Sequence, residues 1–559
     1  MITSDKEIVQ EFIAFCISRK IRHVVISPGS RNAPLVLAFN RNPFFNLEVV
    51  HDERSAGFIA LGIIQATKEA AIVCCTSGSA VANYYPSVVE AFYRNLPLLV
   101  VSADRPIEWI DQGDGQTIHQ KNIFNKHVLF NVNISDKTRS KNEIWMEHRE
   151  LNKLFFYLKN GPCHVNISFE EPLYGLVEKE DLPKIPVTHV LKPRRIDEDD
   201  LVNIREIVLS TKTLVLLGQH EPNNKLNVVL QNLSLRSNLV VLVENTSNVS
   251  GGNIIPCIDR TLNMIKIDSE EHYFPETVLH MGGALVSKQI KKFIRKIPNK
   301  KIIRVSEKDY FEDTFQGIDY SVCSDTTSFL TDLYSSLPTS RSNTFSDKWK
   351  TLDILCRDKI HDFASKQSSL NDWIAYYFIN QYLPNKCFLH LGNSSVVRYM
   401  QLFEPIHEIN YFANRGTSGI DGSMSTAVGS AIAKPDVQHF LIIGDVSFIY
   451  DSNALWFEPF PSNLKVIIIN NSGGGIFRII DGPNKTEELE PFFEASHKHS
   501  CKNICIGFGK KCSQISELKD LEPEIIKFVT SKEGGFIEIV TEQKVNPKIL
   551  ESFFTFTRR

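Results

Sequence analysis

Short apolar runs recur along the whole chain, and they constrain its fold more than any other feature. Each run holds five to eight residues and is separated from the next by an amphipathic stretch with helical spacing. Continuous apolar runs of this length are typical of strands that are covered on both faces, as in parallel sheets. The alternation predicts an α/β protein with doubly wound, mostly parallel sheets. The predicted strands are 23–27, 71–76, 96–103, 213–218, 238–244, 277–283, 301–305, 387–392, 439–445, 465–471 and 535–540.

Two polar stretches divide the chain into three blocks. Residues 170–195 are rich in proline and charge, and residues 335–350 are rich in serine and threonine. A chain of 559 residues also exceeds what one hydrophobic core usually supports. We therefore predict three domains, at 1–180, 190–340 and 346–559. The first and third blocks both place glycine and serine after an early strand, which is a loose indication of duplicated domains.

Composition and charge argue against several functional classes. A formal net charge of -3 gives no electrostatic footprint for nucleic-acid binding. No apolar run approaches the roughly 20 residues that cross a bilayer, and the first residues lack the apolar segment of a secretory signal. We therefore expect neither a nucleic-acid partner nor membrane insertion. Eleven cysteines without a repeating spacing favour reduced thiols in a cytoplasmic protein, and Cys501, Cys505 and Cys512 lack the CxxC spacing of a zinc site.

Two of the predicted strands end in small polar residues. Asp445 follows one strand, and Asn470 and Asn471 follow the next, with three glycines behind them. Ligands of parallel α/β sheets lie beyond the carboxyl ends of strands. Carboxylate, amide and backbone carbonyl oxygens are hard donors that suit a Mg²⁺ ion bound to phosphate oxygens. Either half alone is more often an ordinary turn, but together they favour a Mg²⁺-diphosphate site.

The segment GDVS, followed about 22 residues later by NNSGG, resembles the cofactor motif of the thiamine diphosphate (ThDP) enzymes related to pyruvate decarboxylase and acetolactate synthase. This resemblance implies that Asp445, Asn471 and the carbonyl of Gly473 hold Mg²⁺, with Mn²⁺ as an alternative. It also implies that Val446 and Ser447 contact the cofactor. The sequence leaves open which of the two neighbouring asparagines is the ligand.

An acid in the first block adds to the resemblance. Glu53 follows a predicted strand and begins a helix rich in small residues. In the superfamily, a Glu at this place activates the cofactor through a hydrogen bond to its pyrimidine ring, a form of acid–base catalysis. That Glu comes from the neighbouring subunit, which implies a homodimer or homotetramer with active sites at the subunit interface. Taken alone, Glu53 is more often an acid favoured by the helix dipole.

Further motifs narrow the resemblance to one family. The segments SPGSRNAPL, DRP, GQTIHQ, GNSSVVR, NRGTSGIDG and NNSGGGIF resemble those of the 2-succinyl-5-enolpyruvyl-6-hydroxy-3-cyclohexene-1-carboxylate (SEPHCHC) synthases of menaquinone biosynthesis, over essentially the whole chain. The resemblance implies a transferase with two small-molecule substrates, 2-oxoglutarate and isochorismate. The donor is decarboxylated, and the resulting carbanion adds in conjugate fashion to the acceptor, which gives SEPHCHC and CO₂.

Both substrates carry carboxylates, so the resemblance implies a site with several cations and neutral donors. Arginine suits such a site because it contacts a carboxylate through two N–H groups. Arg398 and Ser394 would hold the distal carboxylate of the donor. The catalytic candidates beside Glu53 are Arg31, Gln116, Ser394, Arg398 and Arg415, and the substrate-binding candidates are Ser30, Arg31, Arg105, Gln116, Lys288, Ser394 and Arg398.

The resemblance also assigns apolar positions and shows one departure. Ile420 would bend the cofactor into its active shape, Gly416 would contact it, and Ile476 and Phe477 would form an apolar wall beside the acceptor. The family usually has Lys-Arg where this chain has Lys288 followed by glutamine. One of two cations for the acceptor is therefore missing, or it is supplied from elsewhere.

Two alternatives are left open by the sequence. A different ThDP-dependent decarboxylase or carboligase, such as a relative of acetolactate synthase or oxalyl-CoA decarboxylase, would bind FAD or a nucleotide in the central block. That block contains no complete GxGxxG, which disfavours this alternative. A non-catalytic protein of the same fold would be expected to lose the activating acid or the metal ligands, and both are present here.

Overall fold

Three parallel sheets flanked by helices form the framework of the protein, which confirms the predicted α/β class with mostly parallel sheets. All eleven predicted apolar runs coincide with strands. The three predicted domain boundaries remain a prediction, and parts of both predicted linkers fall outside the described residues. The computed structural model describes residues 1–188, 196–266, 270–307, 312–336, 344–480 and 482–558.

The chain divides into two compact units, and each draws on more than one segment. Unit 1 consists of Met1–Leu191, Asn414–His439 and Ser447–Leu464. Unit 2 consists of Lys192–Ala413, Phe440–Val446 and Lys465–Arg559.

The N-terminal sheet has six parallel strands whose interior positions are covered by helices on both faces. Two short strands, β1 (Ile2–Ser4) and β8 (Leu176–Glu178), form a separate antiparallel pair. The six strands of the sheet are β2 (His23–Ile26), β3 (Asn46–Val49), β4 (Ala71–Cys75), β5 (Leu98–Asp104), β6 (Phe130–Ser135) and β7 (Cys163–Ser168). The spatial order is β3-β2-β4-β5-β7-β6. Its helices are α1 (Glu7–Ser18), α2 (Ala33–Asn40), α3 (Glu53–Thr67), α4 (Ser79–Asn83), α5 (Tyr85–Arg94) and α6 (Lys141–Leu158).

The central sheet has five parallel strands in unit 2. They are β9 (Thr213–Leu217), β10 (Leu239–Val243), β11 (Thr277–Met281), β12 (Lys301–Ser306) and β13 (Tyr320–Cys323), in the order β10-β9-β11-β12-β13. The accompanying helices are α7 (Glu198–Ser210), α8 (Asn224–Ser234), α9 (Ile258–Leu262), α10 (Lys288–Lys296) and α11 (Thr326–Ser336).

The C-terminal sheet again has six parallel strands. They are β14 (Phe388–Leu391), β15 (Asn410–Phe412), β16 (His439–Gly444), β17 (Leu464–Asn470), β18 (Cys512–Ile515) and β19 (Gly535–Val540), in the order β15-β14-β16-β17-β19-β18. The helices are α12 (Phe345–Ala364), α13 (Asp372–Tyr382), α14 (Ser395–Met400), α15 (Ser423–Ala433), α16 (Asp445–Tyr450), α17 (Ile476–Ile479), α18 (Cys501–Gly507), α19 (Leu518–Thr530) and α20 (Asn546–Arg558).

The two six-stranded sheets share one topology. Counted along the chain, the strands of each sheet lie in the order second, first, third, fourth, sixth, fifth. The direction of winding changes between the first and third strands, which are neighbours in both sheets. Strand ends at such a switch point form the usual ligand site of an open α/β sheet. The loops after β2 and β4, and those after β14 and β16, are therefore the expected site positions.

Helices α3 and α15, which follow the second strand of each six-stranded sheet, pack against each other within unit 1. The contact is backbone to backbone. A side chain at Gly62 would overlap the carbonyl oxygen of Thr426, and one at Gly429 would overlap that of Ile59. Both glycines are therefore needed for the close approach. Each helix contributes one glycine, which faces a backbone carbonyl of the other helix.

The described part of the chain contains no helix of the length and apolarity that a bilayer crossing requires. All eleven cysteines are free thiols.

Candidate active site

The end of β16 carries the acid that the sequence predicts as a metal ligand. Asp445 is the first residue of α16 and is 3% exposed. One carboxylate oxygen accepts from the N–H of Val446 at 2.7 Å, and the other accepts from the N–H of Gly473 at 2.9 Å. His497 Nε2 lies 3.2 Å from that second oxygen, and its hydrogen bond with Asp445 raises the pKa of His497. The backbone thus fixes the carboxylate at the strand end.

The two asparagines at the end of β17 have different partners. Asn470 donates from Nδ2 to Glu538 at 2.7 Å and accepts on Oδ1 from the N–H of Ser472 at 3.0 Å. Asn471 donates from Nδ2 to Asp372 at 2.9 Å, while its Oδ1 is buried and has no hydrogen-bond partner among the described residues. A buried acceptor without a partner is costly and calls for an explanation such as a bound ion. Asn471 is therefore the better candidate for a metal ligand, as predicted.

Gly473 supplies the third predicted ligand. Its φ of +150° and the carbonyl oxygen of Glu494, 2.8 Å from where a Cβ would stand, restrict this position to glycine. Its own carbonyl accepts from the N–H of Gly475 at 3.0 Å and keeps a second lone pair. A carboxylate, an amide oxygen and a carbonyl fit Mg²⁺. Elsewhere in the described chain, no group of three or more His, Cys, Asp or Glu side chains could hold a metal ion.

Asp372 belongs to this cluster, and the sequence analysis missed it. It begins α13, is fully buried, and accepts from Asn471 Nδ2 and Thr541 Oγ1. Its own N–H donates to Asn546 Oδ1 at 2.8 Å. Burial raises the pKa of Asp372 to about 6. Because an acid at a helix start is commonplace, the sequence gives no local signal for this contact.

Glu53 lies in unit 1 at the start of α3, as predicted. The capping of this helix is performed by the preceding Asp52, which accepts from the N–H groups of Arg54 at 2.8 Å and Ser55 at 3.4 Å. Glu53 Oε2 instead accepts from Asn83 Nδ2 at 3.1 Å. Asp52, rather than Glu53, is therefore the acid that caps the start of α3. Glu53 has a side-chain partner, Asn83, that the sequence motifs do not indicate.

The segment 414–422, also in unit 1, contains three of the predicted site residues, Arg415, Gly416 and Ile420. Glu90, a buried residue of α5, accepts from the N–H of Gly416 at 2.9 Å and so anchors the segment. Arg415 is buried beside it. The carbonyl of Ile420 accepts from Ser447 Oγ at 2.9 Å. No sequence motif indicates Glu90 as a contact of this segment, because it lies 326 residues from Gly416 in the chain.

Ser30 and Arg31, in the loop after β2, differ in their exposure to solvent. Ser30 is exposed, whereas Arg31 is 4% exposed. The guanidinium of Arg31 donates to the carbonyl of Phe169 and to Glu171, each at 3.2 Å. Since Glu171 is itself largely exposed, a substrate carboxylate could compete for the same guanidinium.

The DRP and GQTIHQ segments contain two further predicted residues. Arg105 pairs with Asp114 at 3.0 Å. Gln116 is exposed and adopts a left-handed conformation with φ of 58°, which is uncommon outside glycine and often marks a functional position. Gln120, which was not predicted, is fully buried and accepts from the N–H of Gly78 at 2.9 Å, so it fixes the loop that Gln116 adjoins.

A cavity of about 900 Å³ within unit 2 brings together three predicted residues, Lys288, Arg398 and Ile476. Arg398 donates to the carbonyl of Ser394 at 2.7 Å, and Ser394 has a left-handed φ of 71°. Strained backbone of this kind clusters at functional sites. Phe477 follows Ile476 on α17, in keeping with the predicted apolar wall.

Two family models match the chain, both described as thiamine pyrophosphate enzyme domains. The N-terminal TPP binding domain matches residues 7–123, and the C-terminal TPP binding domain matches residues 391–539. The chain is 38% identical to a SEPHCHC synthase of Flavobacterium johnsoniae, over 99% of both chains. It is 34% identical to one of Porphyromonas gingivalis, over 99% of this chain and 97% of the relative. The chain belongs to the SEPHCHC synthase family.

Membership of the SEPHCHC synthase family confirms the resemblance inferred from the motifs. The chain is a ThDP-dependent transferase that forms a carbon–carbon bond on small-molecule substrates. The matched C-terminal domain contains Asp445, Asn471 and Gly473, and the matched N-terminal domain contains Glu53.

Proposed function

We propose that this chain decarboxylates 2-oxoglutarate and transfers the remaining four-carbon unit to isochorismate by conjugate addition, which gives SEPHCHC and CO₂ in menaquinone biosynthesis. The observation that carries the proposal is the buried Oδ1 of Asn471, which lacks a partner next to Asp445 and Gly473. ThDP, when bound, supplies the electron sink for the decarboxylated donor. The activity of the named relatives and the cavity cations support the choice of substrates.

The metal ligands would be Asp445, Asn471 and the carbonyl of Gly473, with Mg²⁺ as the metal and Mn²⁺ as an alternative. Asp372 would be a positioning residue for this site. Because its carboxylate accepts from Asn471 Nδ2, the amide oxygen of Asn471 would be left to bind the metal. Outer-shell partners of this kind orient metal ligands in many proteins. Val446 and Ser447 would contact the cofactor.

The remaining predicted residues would contact the cofactor or the substrates. Glu53 would exchange a proton with the pyrimidine of the cofactor, and Ile420 would support the bent cofactor from below. Gly416 would contact the cofactor, and Ile476 and Phe477 would form the apolar wall beside the acceptor. Ser394 and Arg398 would bind the donor, and Arg415 would be a further catalytic residue that is not assigned to either substrate. The acceptor would be bound by Ser30, Arg31, Arg105, Gln116 and Lys288.

The active enzyme would be a homodimer or homotetramer, in which Glu53 of one subunit serves the cofactor held by another. A mixing experiment tests this arrangement. Subunits carrying Glu53→Gln and subunits carrying Asp445→Ala are each inactive, but a mixed dimer contains one intact site if the sites are shared. Recovered turnover after co-expression supports shared sites, and its absence would show that both residues of a site come from one subunit.

All eleven cysteines are free thiols, which supports a reducing, cytoplasmic location.

The test of the reaction is to supply ThDP, Mg²⁺, 2-oxoglutarate and isochorismate and to follow CO₂ release together with loss of isochorismate. Stoichiometric release and loss are expected. CO₂ release that is indifferent to isochorismate would contradict the proposed acceptor.

The assignment of donor residues has its own test in Arg398→Ala. Loss of a charged hydrogen bond to a carboxylate costs about 1.5–3 kcal/mol, or roughly 10- to 100-fold in affinity. Steady-state kinetics should show the KM for 2-oxoglutarate raised by that factor and the KM for isochorismate changed much less. The opposite pattern would overturn the donor assignment.

A further inference from the structure

Helix α10 presents one face to the cavity of about 900 Å³ in unit 2. Lys288, Gln289, Lys292 and Phe293 all line this cavity, and they lie at positions one helical turn apart. Residues four apart on a helix have Cβ atoms about 5–6 Å from each other. Lys288 and Lys292 therefore lie on one stripe of the helix, and both line the same cavity as Arg398.

The start of α10 is held by two buried carboxylates. Glu244 accepts from the N–H groups of Val286 at 2.9 Å and Ser287 at 2.8 Å. Ser287 Oγ donates to Asp259 and accepts from the N–H of Ile290 at 3.0 Å, which caps the helix. The rotation of α10 about its axis is thereby fixed, and the same lysines always face the cavity.

The cavity cations differ in whether they already have partners. Arg478 pairs with Glu490 and Glu494, at 2.8 Å each. Lys288 and Lys292 are both exposed, and neither has a hydrogen bond or an ion pair to any residue in the described ranges of the chain. Their charges are available to an anionic ligand.

The cavity also contains two acids. Asp259 accepts from Ser287 and lies in the field of Arg398, with burial raising the pKa of Asp259. Glu551, on α20, is exposed. Neither acid forms an ion pair with the two lysines, so the lysine pair keeps its positive potential.

We propose that Lys292 supplies the second cation for the acceptor and thereby replaces the basic residue that this chain lacks at Gln289. This inference rests on the proposed function. The acceptor has two carboxylates, and Lys288 and Lys292 offer two ammonium groups about one helical turn apart. Gln289, which also lines the cavity, is neutral and supplies no charge.

The experiment uses the full-length enzyme loaded with ThDP and Mg²⁺ and compares Lys292→Met with wild type. Methionine keeps the apolar stem and removes the charge. We expect the KM for isochorismate to rise about 10- to 100-fold, while the KM for 2-oxoglutarate and kcat stay within about twofold. The matched control is Lys296→Met, which lies one turn further along α10 and does not line the cavity. It should leave both KM values unchanged.

A second variant separates charge from mere packing. Adding Gln289→Arg to Lys292→Met restores a cation at the neighbouring position, and we expect it to recover most of the lost affinity for isochorismate. An unchanged KM for isochorismate in Lys292→Met, or an equal effect in Lys296→Met, would overturn the inference while the proposed function stands. Wild-type enzyme that does not consume isochorismate would overturn the proposed function, and this inference would fall with it.

Discussion

The N-terminal and C-terminal sheets have the same strand order but carry different chemistry at corresponding strand ends. After the first strand, both have serine and arginine, as Ser30 and Arg31 in one sheet and Ser394 and Arg398 in the other. After the second strand, the N-terminal sheet has Glu53 and the C-terminal sheet has the segment 414–422. The shared topology thus decides where a site residue can lie, and the residue placed there decides what it does.

The fourth strand shows the contrast most clearly. In the N-terminal sheet, β5 ends in Asp104, whose carboxylate accepts from Asn166 Nδ2 at 2.7 Å and from the N–H of Arg105 at 2.8 Å. In the C-terminal sheet, β17 is followed by Asn471, whose Oδ1 has no partner. The hydrogen bonds of Asp104 thus lie inside the fold, whereas the amide oxygen of Asn471 remains available to a ligand.

The largest expected effect distinguishes Asp445, the proposed metal ligand that follows β16, from Asp104 at the end of β5. Asp445→Ala removes the only carboxylate among the proposed metal ligands, so Mg²⁺-dependent ThDP binding should weaken more than 100-fold, beyond the 10- to 100-fold typical of outer-shell changes. Calorimetric titration with ThDP at several Mg²⁺ concentrations measures it. Asp104→Asn, which changes an internally hydrogen-bonded acid at the end of β5 in the other sheet, should leave that affinity within about twofold. Equal losses in the two variants would remove the contrast.

A smaller effect is expected at the positioning residue Asp372. Asp372→Leu leaves Asn471 free to rotate its amide, and the Mg²⁺ affinity should fall about 10- to 100-fold. Asp372→Asn keeps an acceptor oxygen for Asn471 Nδ2 and should lose much less. The readout is the Mg²⁺ concentration that gives half-maximal ThDP binding. Identical losses in the leucine and asparagine variants would argue that Asp372 acts through its charge rather than by orienting the amide.

The smallest expected effect concerns the contact between the corresponding helices of the two sheets. Gly62→Ala forces α3 away from Thr426, and overpacking of this kind costs about 1–3 kcal/mol. The midpoint of thermal unfolding should fall. Gly507→Ala, at a position where a Cβ meets nothing within 4 Å, is the matched control and should leave the midpoint unchanged or slightly raised. An unaffected Gly62→Ala variant would mean that the two helices separate easily.

The fold was largely predictable because most strands are apolar throughout. The main omission, β7, has the sequence CHVNIS and is buried at five of its six positions. His164 and Asn166 interrupt its apolar pattern, yet each has a hydrogen-bond partner inside the sheet, since Ser102 Oγ lies 2.8 Å from His164 Nε2 and 2.7 Å from Asn166 Oδ1. A buried polar network of this kind conceals a strand from any argument based on hydrophobicity.

The candidate site was predictable only where its residues follow strands in recognisable motifs. Asp445, Asn471 and Glu53 do so. Asp372 and Glu90 meet their partners, Asn471 and Gly416, only through folding, from helix positions where an acid is ordinary. Sequence spacing cannot show that Asp372 orients Asn471, or that Glu90 anchors Gly416, because the partners are 99 and 326 residues apart.

The central claim is that the N-terminal sheet activates the cofactor and the C-terminal sheet holds it. The most direct measurement is ThDP binding by calorimetry alongside turnover, both in Glu53→Gln. ThDP affinity within a few-fold of wild type, with turnover reduced about 10²- to 10⁴-fold as for loss of an acid–base group, is the predicted result. Turnover near the wild-type rate, or loss of ThDP binding as complete as in Asp445→Ala, would contradict it.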